Sequence, residues 1–438
     1  MSGYGRWPHR QFAEGRREQR TLRPSSIPTA SPIGRTTTER TTTFEQVVDP
    51  EHLLKIHFDL KRFGGPAPGI DGFSYEDYSV TEIAAVLRLV CSRIRVGDYL
   101  PSPSLIVPFK KDGGKTRDLR LRTIVDRIVS TAVNKIVMQA AERILRPCCF
   151  AYRPGLSTWD MLVAIEIAVL HRQCYFFQQD DIRKAFDNVP LALAVNSCQE
   201  HVPDARLRHL IEVILRGHDT SRTVGIDQGD PLSPVTLNLS MHSVLDLPLI
   251  TAVQDGSPLY VRYSDNLGIA GRSALDVTRC FELARQRLGA HGMTLKGEDG
   301  GLTYLRRPGS QVRVLGTEIS LEGTSLRYRP ADPKGLRKGL DEAWQTPNPR
   351  TTAREVMRGW VTSQGMCVES VGAEGMVRMV RRAACEAGLL ELPSLPEMSG
   401  WAINAQARWN GFRSRKLSNQ LQLEAASAPS SDLDHLSR

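Results

Sequence analysis

Two short acidic segments carry the side chains best suited to chemistry. In FFQQDDIRKAFDN (176–188) an apolar run ends in Asp180-Asp181. In YVRYSDNLGIAG (260–271) Asp265 sits between two apolar stretches at a hairpin tip. Successive side chains of a strand face opposite ways, so only one of Asp180 and Asp181 can share a site with Asp265. A carboxylate ending a buried strand is costly unless it is solvated or meets a cation. Two such groups converging from neighbouring strands offer the oxygen ligands that Mg²⁺ or Mn²⁺ prefers. Taken alone, the same acids could merely mark the edge of a sheet.

Further segments add to this pair. DQGDPLSPVTLNL (227–239) places Gln228-Gly229 before a Pro-punctuated turn and a helix, where a glycine lets another backbone approach closely. PFKKDGGKTRDL (108–119) reads as a hairpin carrying Lys110, Lys111, Lys115 and Arg117 around Asp112-Gly113-Gly114. Four cations at a tight turn suit a triphosphate or a phosphate backbone, or equally a lysine-protected sheet edge.

The elements that must hold these residues are legible from periodicity and breakers. Helical patterns cover EQVVDPEHLLKIHFDLKR, SVTEIAAVLRLVCSRIRVGDY, IVDRIVSTAVNKIVMQAAERIL and STWDMLVAIEIAVLHRQ, the last with Ser157 as N-cap and Asp160 three residues on. Helices follow around 191–216 and at 273–290, short strands near 302–328, and a helical C-terminal segment. There is no internal repeat and no regular βαβ alternation, which predicts an α+β fold.

The 438 residues are 41% hydrophobic and 24% charged, with no apolar run of bilayer length and no apolar leader at the N-terminus, so a cytoplasmic protein without a membrane partner is expected. Eight cysteines show no CxxC or Cys/His spacing, which argues against structural zinc, and Cys148-Cys149 reads as packing. The net charge of +9 favours a polyanionic partner. Residues 1–44 carry eight Arg against three Glu and are expected to form a disordered basic arm, and residues 418–438 a flexible tail.

In order along the chain, these segments resemble the motifs of reverse transcriptases, especially bacterial ones of the group II intron type and stand-alone relatives. GPAPGIDGFSYEDY, VPFKKDGGKTRDLRLRTIVDRIV, FAYRPGLSTWDML, DDIRKAFDNV, QGDPLSP…NL, YSDN and VLGTEI each match one motif, and REVMRGWVTS is similar to the thumb helices. The resemblance implies a right-hand fold: fingers and palm over 45–330 and a helical thumb-like domain over 331–417. It also implies RNA-directed DNA polymerase activity by two-metal phosphoryl transfer with Mg²⁺ or Mn²⁺.

On this resemblance Asp181 and Asp265 are catalytic, and Asp181, the Ile182 carbonyl, Asp265 and Asn266 bind metal. Lys110, Arg117, Phe186, Gln228 and Gly229 meet the nucleotide, with Phe186 beneath the sugar as a gate against the ribose 2′-OH. Arg153, Tyr263, Leu315 and Gly316 meet primer or template. The implied partners are an RNA template, an RNA or DNA primer, deoxynucleoside triphosphates and a dedicated noncoding RNA, in a host or antiviral-defence role. The chain departs from the family pattern twice. Asn266 replaces the second Asp of YxDD, and GMTLKGEDGG carries Asp299 where relatives carry a lysine near the leaving pyrophosphate, leaving nearby Lys296 either to substitute for it or to read as surface charge. The alternatives are an impaired RNA-binding protein on a polymerase fold, or untemplated or self-primed nucleotide addition.

Overall fold

The computed structural model describes residues 44–427, apart from 64, 66, 111–115, 253–256, 298–300, 332, 345–347 and 390; side chains of 63, 109, 110, 116, 117 and 420–427 also lie outside the description. The basic arm, the Asp112-Gly113-Gly114 turn with Lys111 and Lys115, and Asp299 therefore fall outside the described residues.

The first expected helix forms as two, α1 (Phe44–Val47) and α2 (Pro50–Phe63). Pro50 lacks the N–H that would continue the first, and its fixed φ suits the first turn of the second. Helix α3 (Val80–Val96) starts at a capping box in which Ser79 accepts from the Glu82 amide and Glu82 reaches back to Ser79. It stops at Gly97, whose φ of 80° only glycine adopts without cost. The antiparallel hairpin β1 (Leu105–Lys110) and β2 (Thr116–Leu121) leads into α4 (Ile124–Ile144), and α5 (Thr158–Leu170) opens at the expected Ser157–Asp160 pair.

A four-stranded antiparallel sheet then forms in the order β4 (Leu259–Tyr263), β5 (Asn266–Gly271), β3 (Phe176–Asp181), β6 (Thr303–Tyr304). Between β3 and β4 lie α6 (Ala185–Asn188), α7 (Leu191–Gln199), α8 (Ala205–Arg216) and α9 (Ser233–Met241), a π-helical turn at His242–Asp246, and α10 (Leu247–Ala252). Helix α11 (Ala274–Gly289) follows β5 and covers it through Val277, Phe281 and Ala284, all fully buried. These helices, the β1–β2 hairpin's neighbours and one face of the sheet share a first apolar core.

A second core lies on the other face. It joins α5 and Phe177 to a three-stranded sheet, β7 (Gln311–Val314), β8 (Thr317–Glu322) and β9 (Ser325–Pro330), and to helices α12 (Lys334–Ala343), α13 (Pro349–Ser363), α14 (Val368–Glu386) and α15 (Leu395–Ser427). Helix α15 continues to Ser427, past the expected start of the tail. It is tied back to α5 by Arg413, whose Nε lies 2.8 and 2.9 Å from the buried Glu166 carboxylate, and by Lys416 to Asp160 at 2.6 Å. The architecture is a mixed α+β fold of small antiparallel sheets and many helices. All eight cysteines are free thiols and only Cys385 is exposed. Among the described residues no helix is long and apolar enough to cross a membrane.

Candidate active site

The hairpin of β4 and β5 turns through Ser264 and Asp265 alone, since Tyr263 pairs directly with Asn266. A two-residue turn of this kind needs a positive φ at its first position, and Ser264 supplies it at 60°. On the neighbouring strand the register sets Asp181 directly opposite Asn266, and the Ile182 amide donates to the Asp265 carbonyl at 2.8 Å. The strand end with Asp181 and Ile182 is thereby joined to the turn with Asp265 and Asn266. Directly opposed residues share a face with Cβ atoms about 5 Å apart, so the amide of Asn266 is the cross-strand neighbour of Asp181.

The alternation expected for Asp180 and Asp181 is observed. Asp180 is buried and accepts from the Gly297 amide at 3.1 Å, bracing the loop that follows α11. Asp181 is half-buried; its Oδ1 is enclosed and has no hydrogen-bond partner among the described residues, while Oδ2 is ion-paired with Lys296. Backbone pairing sets up this contact: Ile182 bridges Leu295, the Lys296 amide donates to the Asp181 carbonyl at 2.8 Å, and Arg183 N–H donates to Thr294 at 2.8 Å. The expectation that Lys296 is mere surface charge is overturned, because this pairing delivers its ammonium to Asp181.

A buried network supports the turn from behind. Arg262 is fully buried; its Nε and Nη2 bind the Asp246 carboxylate at 2.8 and 2.7 Å, while Nη1 donates to Asn238 Oδ1 at 2.9 Å and the Ser264 carbonyl at 3.1 Å. Tyr260 donates to Asp246 at 3.0 Å, and Asn238 donates to the Ala151 carbonyl at 2.7 Å. Burial alone would raise the Asp246 carboxyl, but the charge and hydrogen bonds of Arg262 outweigh it and hold the group below the usual carboxylate range. Sequence reading missed Arg262, Asp246 and Asn238; the one available signal was an arginine alternating into the apolar face of β4.

Phe186, on α6, is buried in the first core, and its carbonyl accepts from Ile226 at 2.8 Å. From there the chain runs through Gln228, whose carbonyl accepts from the Arg120 amide at 3.0 Å, to Gly229. Gly229 has φ 116°, and a Cβ there would stand 3.0 Å from the Arg120 carbonyl, so the close backbone approach expected of this glycine is present. The flanking acids are equally committed. Asp227 binds Arg222 at 2.6 Å and Arg122 at 3.4 Å, and Asp230 pairs with Arg122 and accepts from Ser130 at 2.6 Å. Burial pushes the Asp230 carboxyl up despite Arg122. Through Arg122 these acids lock the glycine loop to the chain just after β2, a role the sequence did not disclose, and Asp227 also lies 3.7 Å from Arg120 on β2.

Not every expected site residue converges on Asp265. Arg153 is held by the Glu142 carboxylate at 2.9 and 3.0 Å and by the Arg146 and Cys149 carbonyls at 2.9 and 3.0 Å. Leu315 and Gly316, at φ 48° and 81°, form the two-residue β7–β8 turn on the separate sheet. Tyr263 is half-buried against the second core. Lys110 and Arg117 have described backbones, paired as Lys110 with Thr116 and Phe109 with Arg117, but their side chains lie outside the description.

Among the described residues no three His, Cys, Asp or Glu side chains form a metal-holding group. The donors that are present do fit a hard divalent cation: they are oxygens, and the enclosed, unpartnered Asp181 Oδ1 is one of them.

Residues 109–319 match the family model described as reverse transcriptase (RNA-dependent DNA polymerase). Protein YkfC of Escherichia coli is 23% identical over 45% of this chain and 54% of its own length. The group II intron-encoded protein LtrA of Lactococcus lactis is 25% identical over 40% of this chain and 28% of its own. This chain thus spans about half the length, or less, of these curated relatives. A telomerase structure from Candida albicans aligns over 73% of this chain and 60% of its own, with TM-score 0.48 and 11% identity. These matches relate residues 109–319, a little under half of the chain, to reverse transcriptases, the group II intron-encoded proteins among them.

Proposed function

We propose that the chain is an RNA-directed DNA polymerase that extends an RNA or DNA primer with deoxynucleotides, residues 45–330 forming fingers and palm and residues 331–417 a thumb. One observation supports this above all: within the stretch that matches the family, the strand end carrying Asp181 and Ile182 is hydrogen-bonded through the Ile182 amide to the turn carrying Asp265. Two divalent cations, Mg²⁺ or Mn²⁺, would be held by Asp181, Asp265, the Ile182 carbonyl and the Asn266 amide oxygen. Bound there, they would activate the primer 3′-oxygen and neutralise charge on the leaving pyrophosphate.

The remaining roles belong to the chain itself. Arg262 and Asp246 fix the Ser264 carbonyl and with it the position of Asp265. Gln228 and Gly229 hold nucleotide and template against β2, whose hairpin carries Lys110 and Arg117 toward the triphosphate. Phe186 closes the space beneath the sugar. Arg153, Tyr263, Leu315 and Gly316 would serve primer and template, Arg153 chiefly by ordering its loop.

A second reading, a catalytically impaired nucleic-acid-binding protein, is favoured by Asn266 and by the Lys296–Asp181 ion pair. Primer extension on a defined RNA template, followed by sequencing, separates the two. Products complementary to the template support the polymerase, untemplated products assign terminal addition, and RNA binding without incorporation supports the second reading.

A further inference from the structure

The region behind the catalytic turn contains a cavity of about 380 Å³, walled by the end of α4, α7 and the π-helical turn after α9. Ligand pockets begin at about this size, roughly 300 Å³. Arg143 and Arg146 stand at its wall, and neither guanidinium forms an ion pair or hydrogen bond among the described residues. His201 and His242 also line it; the one carboxylate is Glu200, 4.0 Å from His201. His242 is 7% exposed, and its Nδ1 is enclosed without a hydrogen-bond partner, 3.7 Å from Asp246 Oδ2. Leu239 and Leu247 supply an apolar wall.

This combination is specific in its chemistry. Two uncommitted guanidinium groups suit the oxygens of a phosphate; the His242 imidazole bounds the cavity with its Nδ1 turned to Asp246. Leucine side chains beside them suit a flat, weakly polar group. The cavity also opens at a π-helical turn, a distortion found mostly at functional positions, and that turn carries the Asp246 that clamps Arg262. The backbone at Arg146 is anchored through its carbonyl, which accepts from Arg153 at 2.9 Å.

We propose that this cavity is a second binding site, separate from Asp181 and Asp265, for a nucleotide phosphate: its phosphate on Arg143 and Arg146, its base against Leu239 and Leu247. The ligand is a free mononucleotide or the 5′-phosphate end of a strand. The site does not depend on polymerase activity.

Calorimetric titration of the full chain in EDTA with AMP, adenosine, inorganic phosphate and a 5′-phosphorylated pentanucleotide tests it. The expected result is saturable AMP binding, with adenosine at least tenfold weaker. The R143A/R146A double variant and L247W, which narrows the cavity mouth, should each weaken AMP at least tenfold while Asp265→Ala leaves it unchanged. Both arginines are exposed, so the double variant should melt like wild type. Equal AMP and pentanucleotide affinity assigns a free nucleotide, and tighter pentanucleotide binding assigns a strand end. Absence of saturable AMP binding, AMP binding that survives in R143A/R146A, or AMP binding lost in Asp265→Ala overturns the proposal.

Discussion

Lys296 is ion-paired with Asp181, the carboxylate that lies across the ladder from Asn266. The site therefore lacks one negative charge on one side and gains a positive one on the other. A cation entering at Asp181 must share that carboxylate with an ammonium already in place.

Lys296→Met should therefore strengthen divalent binding. At a few ångströms and partial exposure, removing one unit charge is worth about 1–2 kcal/mol after solvent screening, roughly a tenfold gain in affinity. Mn²⁺ titration followed by electron paramagnetic resonance reads this directly. Unchanged affinity would mean that the ion pair does not compete for Asp181.

Asn266→Asp should act in two opposed ways. Without divalent ions it opposes like charges across the ladder and should lower stability by about 1 kcal/mol. With Mg²⁺ present the same carboxylate adds a ligand, so the variant should gain more melting temperature from Mg²⁺ than wild type does. Equal Mg²⁺ stabilisation of both proteins would separate residue 266 from the metal.

Phe186→Ala tests whether the ring gates the sugar or only fills the core. Removing a buried aromatic costs about 3–5 kcal/mol in either case. The gate further predicts that ribonucleotide incorporation rises relative to deoxynucleotide incorporation. Unchanged sugar discrimination would refute the gate and leave Phe186 as packing.

The Arg262–Asp246 pair should be far more sensitive than surface pairs. Asp246→Asn leaves a buried guanidinium uncompensated and should cost about 3–5 kcal/mol in urea denaturation. The acid limb carries the same signature. Because the folded carboxyl is held below its unfolded value, near 3.9, the unfolded chain binds the proton first as pH falls. The stabilisation is present above about pH 4 and is lost below it, and Asp246→Asn should flatten that loss. An unaltered acid limb would contradict it.

What the sequence disclosed was local. The Ser79–Glu82 and Ser157–Asp160 helix starts, the two-residue turn at Ser264-Asp265 and the close approach at Gly229 depend on neighbours a few positions apart, and residue types reveal them. The opposite orientations of Asp180 and Asp181 follow from strand periodicity alone. By contrast, Lys296 reaches Asp181 because a loop segment more than a hundred positions later bridges to 181–183. Arg262 finds Asp246 through a π-helical turn that no hydrophobic pattern announces. Asp227 and Asp230 looked like parts of a loop, yet they neutralise arginines brought in by other segments.

The proposed polymerase activity depends most directly on Asp265. Single-turnover extension of a labelled primer on an RNA template, with Mg²⁺ and with Mn²⁺, should show templated deoxynucleotide incorporation by the wild-type chain. With Asp265→Asn it should fall by at least about a hundredfold, with the variant's melting temperature preserved. Incorporation by the variant at the wild-type rate, or none by either protein with either metal, would contradict it.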